Sequence, residues 1–196
     1  MASIERTAYP RFRRLVSARE LADLTPTEDD VAWARERSRS DEHLLALVLS
    51  LTCFQRLGYF PRSEDVPVAV VDHVRRCLEL AQGTAPSCGT PTAKLQRTLV
   101  RERLGVVCDP QRARAVAVEA IASAALVKNN PPDLINVALE MLVKSSLELP
   151  GFWTLDEMAA RIRHEVNTTM FERVGARIAL PDRVGLEDLL EARTAS

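Results

Sequence analysis

Leu44-Leu45-Ala46-Leu47-Val48-Leu49-Ser50-Leu51-Thr52-Cys53-Phe54 is the longest apolar run in the chain. Its eleven positions fall well short of the roughly 20 residues that a membrane span requires. A helix over 40–58 that is apolar nearly all round belongs at the centre of a bundle, with other helices covering each of its faces. Working outward, the neighbouring segments are amphipathic at helical spacing. Over 67–81, Val70, Val71, Val74, Cys77, Leu78 and Leu80 oppose Asp72, Arg75, Arg76 and Glu79. Over 132–148, Leu134, Ile135, Val137, Ala138, Met141, Leu142 and Ser145 repeat the three-four pattern. No stretch alternates with period two, so the expected fold class is all-α.

Capping residues followed by proline mark where helices begin. Thr25-Pro26-Thr27-Glu28 reads as a capping box with Pro at the first helical position. Asp65 before Val66-Pro67, Thr90-Pro91, Asp109-Pro110 and Asn130 before Pro131-Pro132 follow the same logic, and Thr154-Leu155-Asp156-Glu157 reads as a second box. The expected helices are 17–24, 26–38, 40–58, 67–81, 91–104, 110–128, 132–148 and 154–178, with a weaker signal over 185–193. This is a multi-helix bundle of about eight to nine helices. The small-residue stretch Ala81 to Pro91 is either a long loop or a link between two small helix-turn-helix-like subdomains. On the second reading the divisions are a basic arm 1–14, a first subdomain 15–82, a linker 83–90, a second subdomain 91–180 and a tail 181–196.

Composition narrows the class. The 196 residues hold 46% hydrophobic and 27% charged side chains, which excludes collagen-like and disordered polar chains. Seven Gly and nine aromatics (five Phe, two Trp, two Tyr) do not suit an all-β design. Cys53, Cys77, Cys88 and Cys108 form no CxxC pair, so they fit packing thiols in a reduced cytoplasmic setting. Residues 1–14 are basic without the apolar stretch of a signal peptide.

The net charge of −1, from 26 Lys plus Arg against 27 Asp plus Glu, gives no global pointer to nucleic acid or membrane. Segments differ sharply. Residues 20–42 carry eight acids and three arginines, net −5; residues 90–116 and 1–19 each carry +4. Lys94, Arg97 and Arg101 fall at i, i+3, i+7 on one helix face, with Gln96 and Thr98 beside them. Such a face suits phosphates and base edges, while Leu95, Leu99 and Val100 are expected to anchor the helix from another side. Arg161, Arg163, His164, Arg173 and Arg177 form a second basic segment.

Catalytic chemistry is not signalled. His73 and Cys77 have ligand spacing on a helix, but no third ligand is near in sequence, and Cys77 belongs to an apolar face. The pairs Asp29-Asp30, Asp156-Glu157 and Glu187-Asp188 sit at expected helix N-termini, where the helix dipole accounts for them. There is no phosphate-binding Gly-rich loop and no nucleophile elbow. The residues read as a helical binding module without enzymatic activity, metal or cofactor.

Leu51 to Pro61, in particular Leu57-Gly58-Tyr59-Phe60-Pro61, then Asp65-Val66-Pro67 and Val70-Val71-Asp72-His73-Val74, resemble the N-terminal region of the Tn-three-family replicative transposases. Thr25 to Arg37, Arg97-x-x-Val100-Arg101-Glu102-Arg103-Leu104-Gly105 and Thr154 to Val174 add matches in order, so the resemblance spans roughly 10–180. Members of that family often carry His where Gln96 stands. The resemblance implies binding of double-stranded DNA at transposon terminal inverted repeats. It assigns catalysis to a distant RNase H-like domain that lies outside this sequence, and it implies a nucleoid-associated cytoplasmic protein.

The expected contacts are Lys94, Gln96, Arg97, Thr98, Arg101 and Arg103 on a helix in the major groove, with Arg11, Arg13 and Arg14 on an arm, and Arg112, Arg161 and Arg163 as further basic contacts. Gly58 to Pro61 is read as structural: Gly58 ends a helix, Phe60 packs inward and Pro61 blocks continuation. The competing reading is a protein–protein module that docks on the rest of a transposase or on a second copy, through the acidic block 20–42 and exposed Trp33 and Trp153. Neither reading involves a membrane.

Overall fold

The computed structural model describes residues 3–13, 15–87 and 90–177, with only the backbone of 90 and 91. Its α-helices are α1 (Ala18–Ala22), α2 (Glu28–Arg37), α3 (Asp41–Leu57), α4 (Val68–Cys77), α5 (Thr90–Leu104), α6 (Pro110–Ala125), α7 (Pro131–Lys144) and α8 (Phe152–Gly175). Single 3-10 turns stand at Ile4–Arg6 and Ser63–Asp65. The fold is all-α, and the one β-type pairing among the described residues is an isolated parallel bridge between Val107 and Leu147. The signal over 185–193 lies outside the described residues.

The apolar run forms the centre it implied. Ser40 caps α3 by accepting from the His43 N–H, and Leu44 through Leu49, Leu51 through Phe54 and Leu57 are all buried. The buried Thr52 hydroxyl is satisfied within the helix, donating to the carbonyls of Val48 and Leu49. Gly58 ends the helix at φ 73°, donating its N–H to the Phe54 carbonyl at 2.7 Å. α2, α4 and α5 pack directly on α3.

Two apolar clusters make up the core. The first gathers α2, α3, α4, Val100 of α5 and Leu24; the second gathers Tyr9, α6, α7 and the first half of α8. In α6 the buried positions are mostly alanines, Ala113, Ala117, Ala120, Ala124 and Ala125, and these small residues allow α7 and α8 to close upon it. The apolar clusters therefore part between Leu104 and Pro110, and the 83–90 stretch joins α4 to α5 within the first. α5 packs with the N-terminal helices because Val100 is buried among them.

Several ends differ from the sequence reading. α2 is capped by Thr27, which accepts from the Asp30 N–H, and Pro26 stays outside. This placement puts Glu28, Asp29 and Asp30 in the first turn, where the helix dipole favours them. Thr25 instead meets His73 Nε2 at 2.9 Å. α8 begins at Phe152, ahead of the expected box at Thr154, because the buried Phe152 ring is drawn against Tyr9 edge-on at 5.7 Å. A capping box does exist at Ser17 and Glu20. α7 stops at Lys144, Ser146 turns the chain at φ 52°, and the link that follows is held by Val107 N–H donating to Ser146 O, Glu148 N–H to Val107 O and Leu149 N–H to Gly58 O.

Candidate nucleic-acid interface

α5 sits with a different face inward from the one its apolar residues suggest. Val100 is fully buried, but Leu95 is 59% exposed, and the side chain beside Val100 on the inner face is Gln96. Gln96 Nε2 donates to the His43 carbonyl of α3 at 3.3 Å, while its buried Oε1 has no donor among the described residues. Gln96 is thus a packing residue, and its expected role at a base edge is overturned by burial. Seating α5 this way turns Lys94, Arg97 and Thr98 into solvent.

Arg97 and Arg101, one turn apart, converge on one ring. Their guanidinium carbons lie 5.6 and 5.0 Å from the Phe60 centroid, and Phe60 is itself stacked on Phe54 at 4.6 Å. The turn that begins at Gly58 therefore packs Phe60 inward and also gives two cations a shared aromatic seat. Arg101 is neutralised by Glu148, Nε to Oε2 at 2.7 Å, across the seam between the two clusters. Arg97 and Lys94 have no carboxylate partner among the described residues. Beneath them lies a groove of about 680 Å³, walled by Leu49, Cys53, Phe60 and Val66 and rimmed by Lys94, Arg97 and Arg101.

Arg103 leaves the expected face altogether. Its Nε donates to Asp30 at 2.9 Å, its Nη2 to Asp29 at 2.5 Å and to Asp30 at 2.8 Å, and its plane lies 5.0 Å from the Trp33 centroid. Asp30 is buried, which alone would raise its pKa; hydrogen bonds from Arg103, Thr27 and Gln55 outweigh this and hold it below the usual carboxylate value. The Arg103 pKa is raised in turn by its bonds to Asp29 and Asp30. This network fastens α5 to α2 and turns the Arg103 guanidinium toward α2, where its charge is paired. Trp33, expected to be exposed, is half-buried between the guanidiniums of Arg37 and Arg103.

The N-terminal segment is strapped down where a free arm was expected. Tyr9 is buried and donates to the Pro150 carbonyl, the Ala8 N–H donates to Asn136 Oδ1, and Tyr59 donates to the Pro10 carbonyl. Phe12 packs on the first cluster. Arg11 pairs with Glu5 at 3.6 Å and Arg13 with Glu20 at 3.4 Å, and Arg14 lies outside the described residues. Arg112 is exposed at the start of α6, far along the chain from the Phe60 seat. Arg161 pairs with Glu165 at 2.8 Å; Arg163 donates to the Asn129 carbonyl and keeps a buried Nε without partner among the described residues.

The structure gathers Lys94, Arg97 and Arg101 at one groove, leaves Thr98 exposed on the same helix outside its lining, and does not bring Arg112, Arg161 or Arg163 into it. Sequence reading missed Glu148, Asp29 and Asp30 as internal partners of the arginines, and Phe60 as their seat. His73 behaves as a packing side chain: its Nε2 faces Thr25 and Cys77 Sγ (3.6 Å), and burial, aided by Arg76, lowers its pKa. Among the described residues no three His, Cys, Asp or Glu side chains come together as a metal site, and no helix is long and apolar enough to cross a membrane.

No curated protein matches the chain. Residues 1–162 match a family described as a domain of unknown function, DUF4158, which is associated with Tn-three-family transposases. Since the match covers most of the sequence, the chain belongs to the DUF4158 family.

Proposed function

We propose that this chain is a DNA-binding module of a Tn-three-family transposase that grips the terminal inverted repeats through the outer face of α5. The observation that carries the reading is the pairing of two guanidiniums on the Phe60 ring, one of them free of any carboxylate among the described residues, with Lys94 one turn ahead. An anion placed between Arg97 and Arg101 relieves their mutual repulsion, and a duplex presents phosphates at suitable spacing. Thr98, exposed beside them, is the side chain on this face suited to a base edge. The module supplies binding; strand cleavage belongs to a catalytic domain elsewhere in a transposase, and the setting is the cytoplasm, on the nucleoid.

Internal ion pairs set the expected strength. A face of five free cations would give a slope of log affinity against log salt of roughly −4 to −5. With Arg103 withdrawn and Arg101 held by Glu148, two or three phosphate contacts remain, and the expected slope is about −2 to −3. Fluorescence anisotropy with the element's own terminal repeat, from low to moderate salt, measures it. Arg97→Ala is expected to weaken binding and flatten the slope by about 1, while Arg161→Ala leaves both unchanged. Absence of binding at low salt, or equal effects of the two substitutions, refutes the assignment.

A second reading rests on the exposed apolar residues of the last turns of α8, Met170, Phe171 and Val174, together with Trp153 at 62% exposure. These suit a protein contact with the remainder of a transposase. Salt-insensitive association in sedimentation, abolished by Phe171→Asp, would favour it.

A further inference from the structure

The two partners of Arg101 come from separate stretches of chain. Phe60, in the turn after α3, seats its guanidinium at 5.0 Å, and Glu148, in the link before α8, neutralises it at 2.7 Å. Adjacent residues Tyr59 and Phe60 belong to different clusters, Tyr59 packing with the second and Phe60 with the first. One hydrogen bond ties the two stretches directly, from Leu149 N–H to the Gly58 carbonyl at 3.0 Å, and a single bond leaves them free to pivot. A second tie runs through the N-terminal segment. Tyr9 donates its hydroxyl to the Pro150 carbonyl at 3.0 Å, Tyr59 donates its hydroxyl to the Pro10 carbonyl at 3.2 Å, and the two rings lie 5.5 Å apart. The Ala8 N–H, 2.7 Å from Asn136 Oδ1 of α7, fixes the segment in place. These contacts close a ring that runs from Glu148 through Pro150, Tyr9, Pro10, Tyr59 and Phe60 back to Arg101. We propose that residues 8–10 form a clasp that positions Phe60 against Glu148, and that the Tyr9 and Tyr59 hydroxyls set how readily Arg101 leaves its carboxylate. Both tyrosines are positioning residues, acting on Arg101 through Phe60 and Glu148. Burial raises the pKa of each phenol, so each keeps the proton it donates. The N-terminal segment then governs whether Arg101 can take a phosphate without itself being a DNA-binding arm; that consequence rests on the DNA-binding reading, whereas the clasp does not.

The Arg101 Nε–H, which donates to Glu148, reports on the clasp directly in the ¹⁵N-labelled full chain. Its NMR signal, assigned by its loss in Arg101→Lys, exchanges hydrogen with water faster as the ion pair opens. Tyr9→Phe and Tyr59→Phe each delete a hydroxyl and keep the ring, and each is expected to speed that exchange about two- to ten-fold, the equilibrium worth of one hydrogen bond. The Arg103 Nε–H, on the same helix but bound to Asp30 of α2 at 2.9 Å, is the control and is expected to keep its rate. Unchanged exchange at Arg101 in either variant would overturn the proposal. Equal acceleration at Arg103 would do so too, because general loosening of the fold then accounts for both. With the terminal repeat as ligand, the double variant is expected to steepen the salt slope by about 1. It should add nothing in a Glu148→Gln background, where Arg101 is already free. Faster exchange at Arg101 with DNA binding unaltered would leave the clasp standing and take Arg101 out of the DNA face. Altered DNA binding without a change at Arg101 would sink the clasp and leave the DNA-binding reading intact.

Discussion

Replacing Gly58 by alanine isolates the contact where α3 meets the second cluster. Gly58 has φ 73°, in the left-handed region, so a β-carbon costs about 1–2 kcal/mol from the backbone alone. That carbon would also stand 2.9 Å from Leu149 Cδ1 and 3.1 Å from its Cγ. Leu149 is buried, and its N–H donates to the Gly58 carbonyl at 3.0 Å, so it cannot retreat without loosening the joint. Overpacking of this kind costs about 1–3 kcal/mol. The expected total is about 2–5 kcal/mol, a large part of a typical domain's stability of about 5–15 kcal/mol. Gly105 is the internal control, with φ 64° and no atom within 4 Å of an added β-carbon, so Gly105→Ala should cost only the backbone share, about 1–2 kcal/mol. Urea unfolding followed by circular dichroism gives both values, provided the denaturant slope is unchanged. Adding Leu149→Ala to Gly58→Ala should cost less than the sum of the two single changes, because the clash disappears with the side chain. Equal destabilisation by Gly58→Ala and Gly105→Ala, or strict additivity in the double variant, would refute the close approach.

Asp30→Asn should destabilise by about 3 kcal/mol, the low end for breaking a buried pair, because Asp29 still holds Arg103. The folded pKa of Asp30 lies below its ordinary 3.8, so its contribution is present above that value and is lost as pH falls through the lower folded one. Acid titrations from pH 6 to 2 should therefore show the two proteins converging below about pH 3.8, and a constant gap would contradict the network. Burial pushes the Cys53 thiol up to about 12, so a thiol reagent should label exposed Cys108 in the native protein and Cys53 only on unfolding; equal rates would place Cys53 outside the core. Glu148→Gln frees Arg101 for phosphate, and anisotropy should record tighter DNA binding with the salt slope steeper by about 1. Weaker binding would mean that Glu148 positions Arg101 and does not compete for it.

Elements whose signal is local were legible. The run from Leu44 to Phe54 predicted a central helix because a segment with no polar side has no other stable place. Asp109 was legible as a cap, and its Oδ1 accepts the Arg112 N–H at 2.9 Å as Asp-Pro at a helix start implies. Thr25 was expected to cap α2, but it is held by His73, and Thr27 accepts the Asp30 N–H in its place. The orientation of α5 was misread for a similar reason. Pattern alone assigns Leu95 inward and Gln96 outward, but the His43 carbonyl of α3 gives Gln96 a hydrogen bond inside while Leu95 has none to lose in water. The partners of Arg101 and Arg103 stand 47 and 73 positions away in the chain, and no local pattern carries such distances.

Those distant partners show where the oppositely charged blocks meet in the fold. The acidic block 20–42 and the basic block 90–116 meet where Asp29 and Asp30 hold Arg103, and this contact joins α2 to α5. Glu148 does the same for Arg101 across the seam between the clusters. Lys94, Arg97, Arg112 and Arg114 keep no carboxylate partner among the described residues; of these Lys94 and Arg97 stand at the groove, and Arg97 shares a ring with the already neutralised Arg101. An incoming anion at Arg97 incurs no exchange cost, whereas one at Arg101 must first displace a carboxylate at 2.7 Å. Binding on this face is therefore expected to be graded: a first contact governed by Lys94 and Arg97, then a second that opens the Arg101–Glu148 joint between the two clusters. Because Glu148 also donates its N–H to Val107, the second contact would pull on the strand-like link that joins them, so tight binding by this face would be felt in the packing of α6, α7 and α8.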